Sequence, residues 1–131
     1  MILLDTHALV WWANETENLS SRSRRIIDRE EKDGAIAASA ISAWEICLLI
    51  KAGRITLAVD TETWFRDLEI LPYFRFVSVD MHIAKTAVFL PNWTHKDPAD
   101  RIIVATALRL GVPLITKDEK IRRSKLVRTI W

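Results

Sequence analysis

The sequence of 131 residues holds one cysteine, three glycines, four prolines and one tyrosine. A lone Cys47 excludes an intramolecular disulfide framework and any cysteine-cluster zinc site, and it fits a reducing, cytoplasmic setting. So few glycines and prolines exclude collagenous and low-complexity architectures. No apolar run approaches the roughly 20 residues that a membrane-spanning helix needs. Met1 leads straight into an apolar segment with no basic stretch and no cleavage site, so no signal peptide is expected. An excess of one charge is also missing. The 19 Lys+Arg against 17 Asp+Glu leave a net charge of +2, which excludes a polybasic nucleic-acid-coating protein. What is present is a chain half hydrophobic and 27% charged, the composition of a folded domain with its own core. Its length suits one domain over residues 1–131.

Short apolar runs alternate with helical patterns along the whole chain. Strands are expected at Ile2–Asp5, Ala35–Ala38, Phe76–Val79, Pro113–Thr116 and Val127–Trp131. Between them lie helices over Thr6–Ala13, Ser20–Lys32, Ser42–Ala52, Asp60–Leu71, Met81–Leu90, Pro98–Leu110 and Asp118–Ser124. Pro72 and Pro91 stop two of them, Pro98 opens another, and Gly53 and Gly111 close two. This alternation predicts an α/β domain with a mostly parallel sheet flanked by helices on both faces. In such sheets ligands bind beyond the carboxyl ends of the strands.

Carboxylates fall at those ends. Asp5 ends the first apolar run, and Asp118 lies two residues beyond the Leu114–Thr116 strand. Each alone also suits a helix N-cap or a turn. Glu45 shares a helical face with Leu48, Leu49 and Ala52, so it begins an apolar stripe; the alternative is a capping box with Ser42. Asp100 shares a face with Ile103, Val104 and Ala107, turned away from Arg101 and Arg109. Asp97 fits as the N-cap of that helix, with a supporting role at a site as the alternative. A carboxylate on a core face is costly unless a cation compensates it. Convergence of Asp5, Glu45, Asp100 and Asp118 would therefore require a divalent metal, and all-oxygen ligands suit Mg²⁺ or Mn²⁺ better than Zn²⁺. His7, His82 and His95 lack zinc-protease spacing. For His7 and His95, hydrogen-bonding or solvent-facing roles are expected rather than metal ligation.

Four segments carry a family resemblance. Met1-Ile2-Leu3-Leu4-Asp5-Thr6-His7-Ala8-Leu9-Val10-Trp11-Trp12 resembles the opening of PIN-domain ribonucleases, in particular the toxins of VapBC toxin–antitoxin pairs. Ser39–Ile46, His95–Ala107 and Leu114–Asp118 resemble their second, third and fourth motifs, in the same order. Ala99 departs from the pattern, which has Phe there. The resemblance implies a single PIN domain, a metal-dependent endoribonuclease, a homodimer and a cognate antitoxin partner. It also implies transfer RNA as a plausible substrate, and products with a 5′-phosphate and a 3′-hydroxyl.

In that reading Asp5 and Asp100 bind the metal and Asp118 completes the shell, directly or through water. Glu45 orients or deprotonates the attacking water. Thr6 and Thr116 lie beside the acids and are candidates for holding them, unless they are plain strand-end hydroxyls bonded to backbone. An RNA substrate needs a positive approach. Residues 117–131 hold six basic and two acidic residues, a net of +4, against −2 for the rest. Lys117, Lys120, Arg122 and Arg123 flank Asp118 and are the expected phosphate contacts. Arg22, Arg24 and Arg25 are diluted by Asp28, Glu30 and Glu31 and read as surface.

Trp11 and Trp12 are adjacent, so at least one is expected to be exposed or covered by a partner, and Trp64 raises the same possibility. Cys47 reads as a small buried hydrophobe. Two rival functions are a catalytically degenerate PIN-fold module that binds RNA or protein, and an aspartyl-nucleophile phosphatase. The phosphatase needs a second acid two residues after the first, where this chain has His7.

Overall fold

A computed structural model describes residues 1–131. Five strands, β1 (Ile2–Leu4), β2 (Ile36–Ser39), β3 (Phe74–Val77), β4 (Leu114–Ile115) and β5 (Thr129–Ile130), form one sheet in the order β3-β2-β1-β4-β5. Every pairing is parallel, with Leu3 opposite Ala37 on one side and Leu114 on the other. Seven helices connect and cover the strands: α1 (Thr6–Ala13), α2 (Ser21–Asp33), α3 (Ala40–Lys51), α4 (Thr61–Glu69), α5 (Met81–Val88), α6 (Pro98–Leu110) and α7 (Glu119–Ser124). No helix is long and apolar enough to cross a membrane.

The central strands are apolar throughout because both sheet faces are covered. Side chains alternate across the sheet, so Ile2 and Leu4 enter one core and Leu3 the other. The first core gathers Ile36, Ala38 and Ile115 with Leu9 of α1, Ile27 of α2 and Trp64 of α4. The second gathers Ala37 and Leu114 with Ile103 and Val104 of α6 and Ile121 of α7. This is the expected fold class. The expected face of α6 is also buried, with Ile103, Val104 and Ala107 inside.

Three local expectations are corrected. β3 begins at Phe74, two residues early, because the Phe74 ring is buried against Trp12 while Val79 is exposed. α3 begins at Ala40 with Ser39 as its N-cap, so Ser42 lies inside the helix and the Ser42–Glu45 capping box does not exist. The buried side of α3 is marked by Ser42 and Ile46. Leu48 and Ala52 are exposed, and so is Cys47, so the apolar stripe drawn from Glu45 is not a core face.

The tryptophans divide. Trp64 is buried and donates to Asn14 Oδ1. Trp11 and Trp12 are each half-buried, against Trp131 and Phe74 respectively. Trp44 is the exposed one.

Candidate active site

The carboxyl ends of β1, β2 and β4 lead directly into α1, α3 and the α7 turn, and these junctions place Asp5, Glu45 and Asp118, while Asp97 and Asp100 come from the N-terminus of α6. Asp5 is the N-cap of α1. Its Oδ1 accepts the Ala8 N–H at 2.8 Å and its Oδ2 accepts the Thr116 hydroxyl at 2.5 Å. Asp118 is the N-cap of α7, accepting from Lys120 and Ile121, and its own N–H donates to Thr116 Oγ1 at 3.0 Å. Thr116 is fully buried and couples the two acids across neighbouring strands. Asp97 is the N-cap of α6 and accepts from Ala99 N–H. Ala99 is itself buried. The capping alternatives thus hold for Asp5, Asp97 and Asp118, and capping leaves carboxylate lone pairs for a second partner.

Glu45 and Asp100 are not caps. Glu45 Oε1 accepts from Thr6 Oγ1 at 2.5 Å, and Thr6 Oγ1 lies 2.9 Å from the buried Ser42 Oγ. Thr6 has a single proton, so with that proton on Glu45 the hydroxyl of Ser42 must supply the one between them. Asp100 Oδ2 lies 2.7 Å from His95 Nε2, the expected hydrogen-bonding role for His95. Both threonines therefore hold carboxylates, and Thr116 in addition accepts the backbone N–H of Asp118.

The acids act on one another. Burial, first of all, raises the Asp5 carboxyl, and the Asp118 charge adds to it, against hydrogen bonds from Thr116 and Ala8. Burial likewise raises Glu45, with Asp97 and Asp5 adding repulsion against the Thr6 hydrogen bond. Asp100 is raised to about 7, by burial and then by Asp97 and Asp118, against His95. No Lys or Arg forms an ion pair with any of the five acids. One patch thus holds mutually repelling carboxylates with no Lys or Arg paired to them, and only the His95 imidazole reaches one of them, Asp100.

Its tightest part is not the set read from the sequence. His95, Asp97 and Asp100 each offer a ligand atom, all within 4.8 Å of one another, while Asp5 and Asp118 stand back against their own helices. Carboxylate oxygens with a single imidazole fit a hard divalent ion.

The PIN-domain profile matches residues 2–125. The chain belongs to the PIN-domain family. This PIN domain is similar to Ribonuclease VapC22 of Mycobacterium tuberculosis, with 36% identity over 132 residues that span 99% of this chain and 98% of that one. Its fold is similar to that in the crystal structure of FitAcB from Neisseria gonorrhoeae, at a TM-score of 0.68 and 22% identity, covering 100% of this chain and 97% of that one. It is also similar to VapBC2 from Rickettsia felis, solved bound to a DNA fragment from its promoter, at a TM-score of 0.68 and 18% identity, covering 99% and 98% of the two chains.

Sequence reasoning gave His95 a hydrogen-bonding role without its partner and gave Ser42 a capping role that it does not have. His95 lies five residues before Asp100 across a loop, and Ser42 sits one turn before Glu45. Helical spacing carries the second signal, whereas no local period carries the first. The basic residues flanking Asp118 diverge. Lys120 and Arg123 line a cavity beside the acids, and Lys117 and Arg122 are exposed elsewhere on the rim.

Proposed function

We propose that this PIN domain is a metal-dependent endoribonuclease, the toxin of a toxin–antitoxin pair, which hydrolyses RNA phosphodiester bonds with Mg²⁺ or Mn²⁺. The observation that carries the reading is the group of mutually repelling acids at the sheet edge, none paired with Lys or Arg, in a chain 36% identical to a protein named as a ribonuclease. Asp5, Asp100 and Asp118 would hold the ion, with Asp97 and His95 beside them. When bound, a divalent ion supplies positive charge that acidifies a water and offsets charge on the scissile phosphate.

The chain's own groups do the rest. Glu45 is half-buried, and burial raises its carboxyl towards the basicity that a proton acceptor needs. It takes the proton of the attacking water while Thr6 fixes its orientation. The water oxygen bonds to phosphorus, and the P–O3′ bond breaks in line. The leaving 3′-oxygen takes a proton from solvent, so the products are a 5′-phosphate and a 3′-hydroxyl. Thr116 keeps Asp5 turned to the site. An antitoxin partner is proposed on the likeness to toxins that are solved with theirs, and a homodimer on the family resemblance.

A fluorogenic single-stranded RNA, incubated with Mg²⁺ or Mn²⁺ with and without EDTA, tests the reading. Metal-dependent cleavage that Asp5→Ala abolishes is expected. Turnover of small phosphate monoesters without RNA cleavage would sink it.

A further inference from the structure

Next to the acids, the loop before α6 and the helix α7 line an open cavity of about 630 Å³. That is within the roughly 300–1,000 Å³ typical of small-ligand sites. Its lining includes Trp93, His95, Lys96, Lys120 and Arg123, with Trp93 the single apolar member and no carboxylate among them. Lys96 and Lys120 form no ion pair. Arg123 reaches Glu119 at 3.0 Å, but both side chains are largely exposed, so this pair is weak and exchangeable.

Both walls are tied to the acids. His95 bonds Asp100 on one wall, and the Lys120 N–H bonds Asp118 on the other. The Trp93 and His95 rings lie 5.8 Å apart at 35°, which sets two aromatic surfaces at the cavity. Trp93 Nε1 is buried without a hydrogen-bond partner, so the indole is not held there by a polar contact.

We propose that this cavity is a nucleotide subsite, which seats one unpaired nucleotide of the RNA next to the scissile phosphate. Trp93 with His95 stacks on the base, and Lys96, Lys120 and Arg123 grip the flanking phosphate. Sequence-independent single-strand binding combines these same two elements, aromatic platforms and a positive groove. Stacking needs an open base face, so the subsite takes single strands and rejects duplex. The inference rests on the ribonuclease reading for the identity of its ligand, but its test does not require cleavage.

Affinity of the whole chain for a short fluorescein-labelled single-stranded RNA is measured by anisotropy in EDTA, so that turnover plays no part. Trp93→Ala should weaken binding by about 5- to 150-fold, the range for losing one base–aromatic stack. Trp93→Phe should retain most of it. The double variant Lys96→Ala/Lys120→Ala should reduce the slope of log affinity against log salt by about 0.7 for each phosphate that is no longer neutralised. If Trp93→Ala does not fold, the lysine pair and Trp93→Phe still decide. Wild-type affinity and salt slope in the lysine pair, equal binding of duplex and single-stranded RNA, or a Trp93→Phe loss as large as that of Trp93→Ala would each overturn the subsite. Absent cleavage with these binding effects intact would instead sink the nuclease reading and leave an RNA-binding cavity.

Discussion

The Thr116 hydroxyl donates to Asp5 Oδ2 at 2.5 Å from the neighbouring strand's end, across 111 residues of sequence. The same oxygen accepts the N–H of Asp118. One buried hydroxyl therefore sets the orientation of one acid and the entry of the chain into the helix capped by another. Thr116→Val conserves the shape and removes both bonds. Partners of metal ligands typically contribute about 10–100-fold to affinity, so Mn²⁺ binding by calorimetry should fall by that factor, and Thr116→Ser should restore it. Unchanged Mn²⁺ affinity in the valine variant would show that Thr116 does not position the metal site.

Glu45 separates proton transfer from metal binding. It lies outside the group of His95, Asp97 and Asp100, and is held by Thr6 instead. Glu45→Gln should lower kcat by about 10²–10⁴-fold, the usual contribution of a general base, while Mn²⁺ affinity changes little. Thr6→Val should give a smaller loss of the same kind. Parallel losses of kcat and Mn²⁺ affinity would make Glu45 a ligand.

Most of the fold is legible in the sequence because its signals are local. Asp97-Pro98 at one end and Gly111 at the other bound α6, and Gly111 does adopt the left-handed conformation, at φ 66°. The inward placement of Asp100 reads correctly because Ile103, Val104 and Ala107, which share its face, are all buried. Glu45 reads less well, since a helix with apolar residues on several sides has no unique core face, and Leu48 and Trp44 turned out exposed. What no local period reveals is side-chain pairing across the sheet. The bonds Thr116–Asp5 and Thr6–Glu45 exist only once strand order is set, whereas His95–Asp100 is closed locally by the loop that enters α6. The cavity likewise joins Trp93 and Lys96 to Lys120 and Arg123, segments that meet only in the fold.

Leu4 links the core to this chemistry. It is fully buried between Ala38 and Ile115 and immediately precedes Asp5. Leu4→Ala should cost about 2–5 kcal/mol of stability by denaturant unfolding, the range for emptying a close-packed leucine site. A cost under about 1 kcal/mol would mean that the sheet relaxes around the gap, and then Asp5 would not be rigidly held.

Asp100 makes the metal-free protein sensitive to pH in a determinate sense. Its carboxyl stands at about 7 in the folded chain, against an ordinary 3.8. The folded state therefore holds this proton more tightly than the unfolded chain does, and the slope of stability with pH is negative. The contribution is fully present below about pH 4 and is lost as pH rises through about 7. Asp5 and Glu45, also raised, act in the same direction. In EDTA the Tm should fall between pH 5 and pH 8 through these groups, and Asp100→Asn should flatten the fall. At pH 8 the asparagine variant should be the more stable by on the order of 1–3 kcal/mol, with solvent screening of a partly exposed side chain allowed for. That corresponds to a Tm rise of several degrees, at roughly 2–8 °C per kcal/mol. Mg²⁺ or Mn²⁺ should reverse the order, because binding to the folded state alone stabilises the wild type and the variant has lost a ligand. Superimposable pH profiles for the two proteins in EDTA would mean that Asp100 is not held against its neighbours' charge, and the requirement for a cation at this sheet edge would lose its main physical ground.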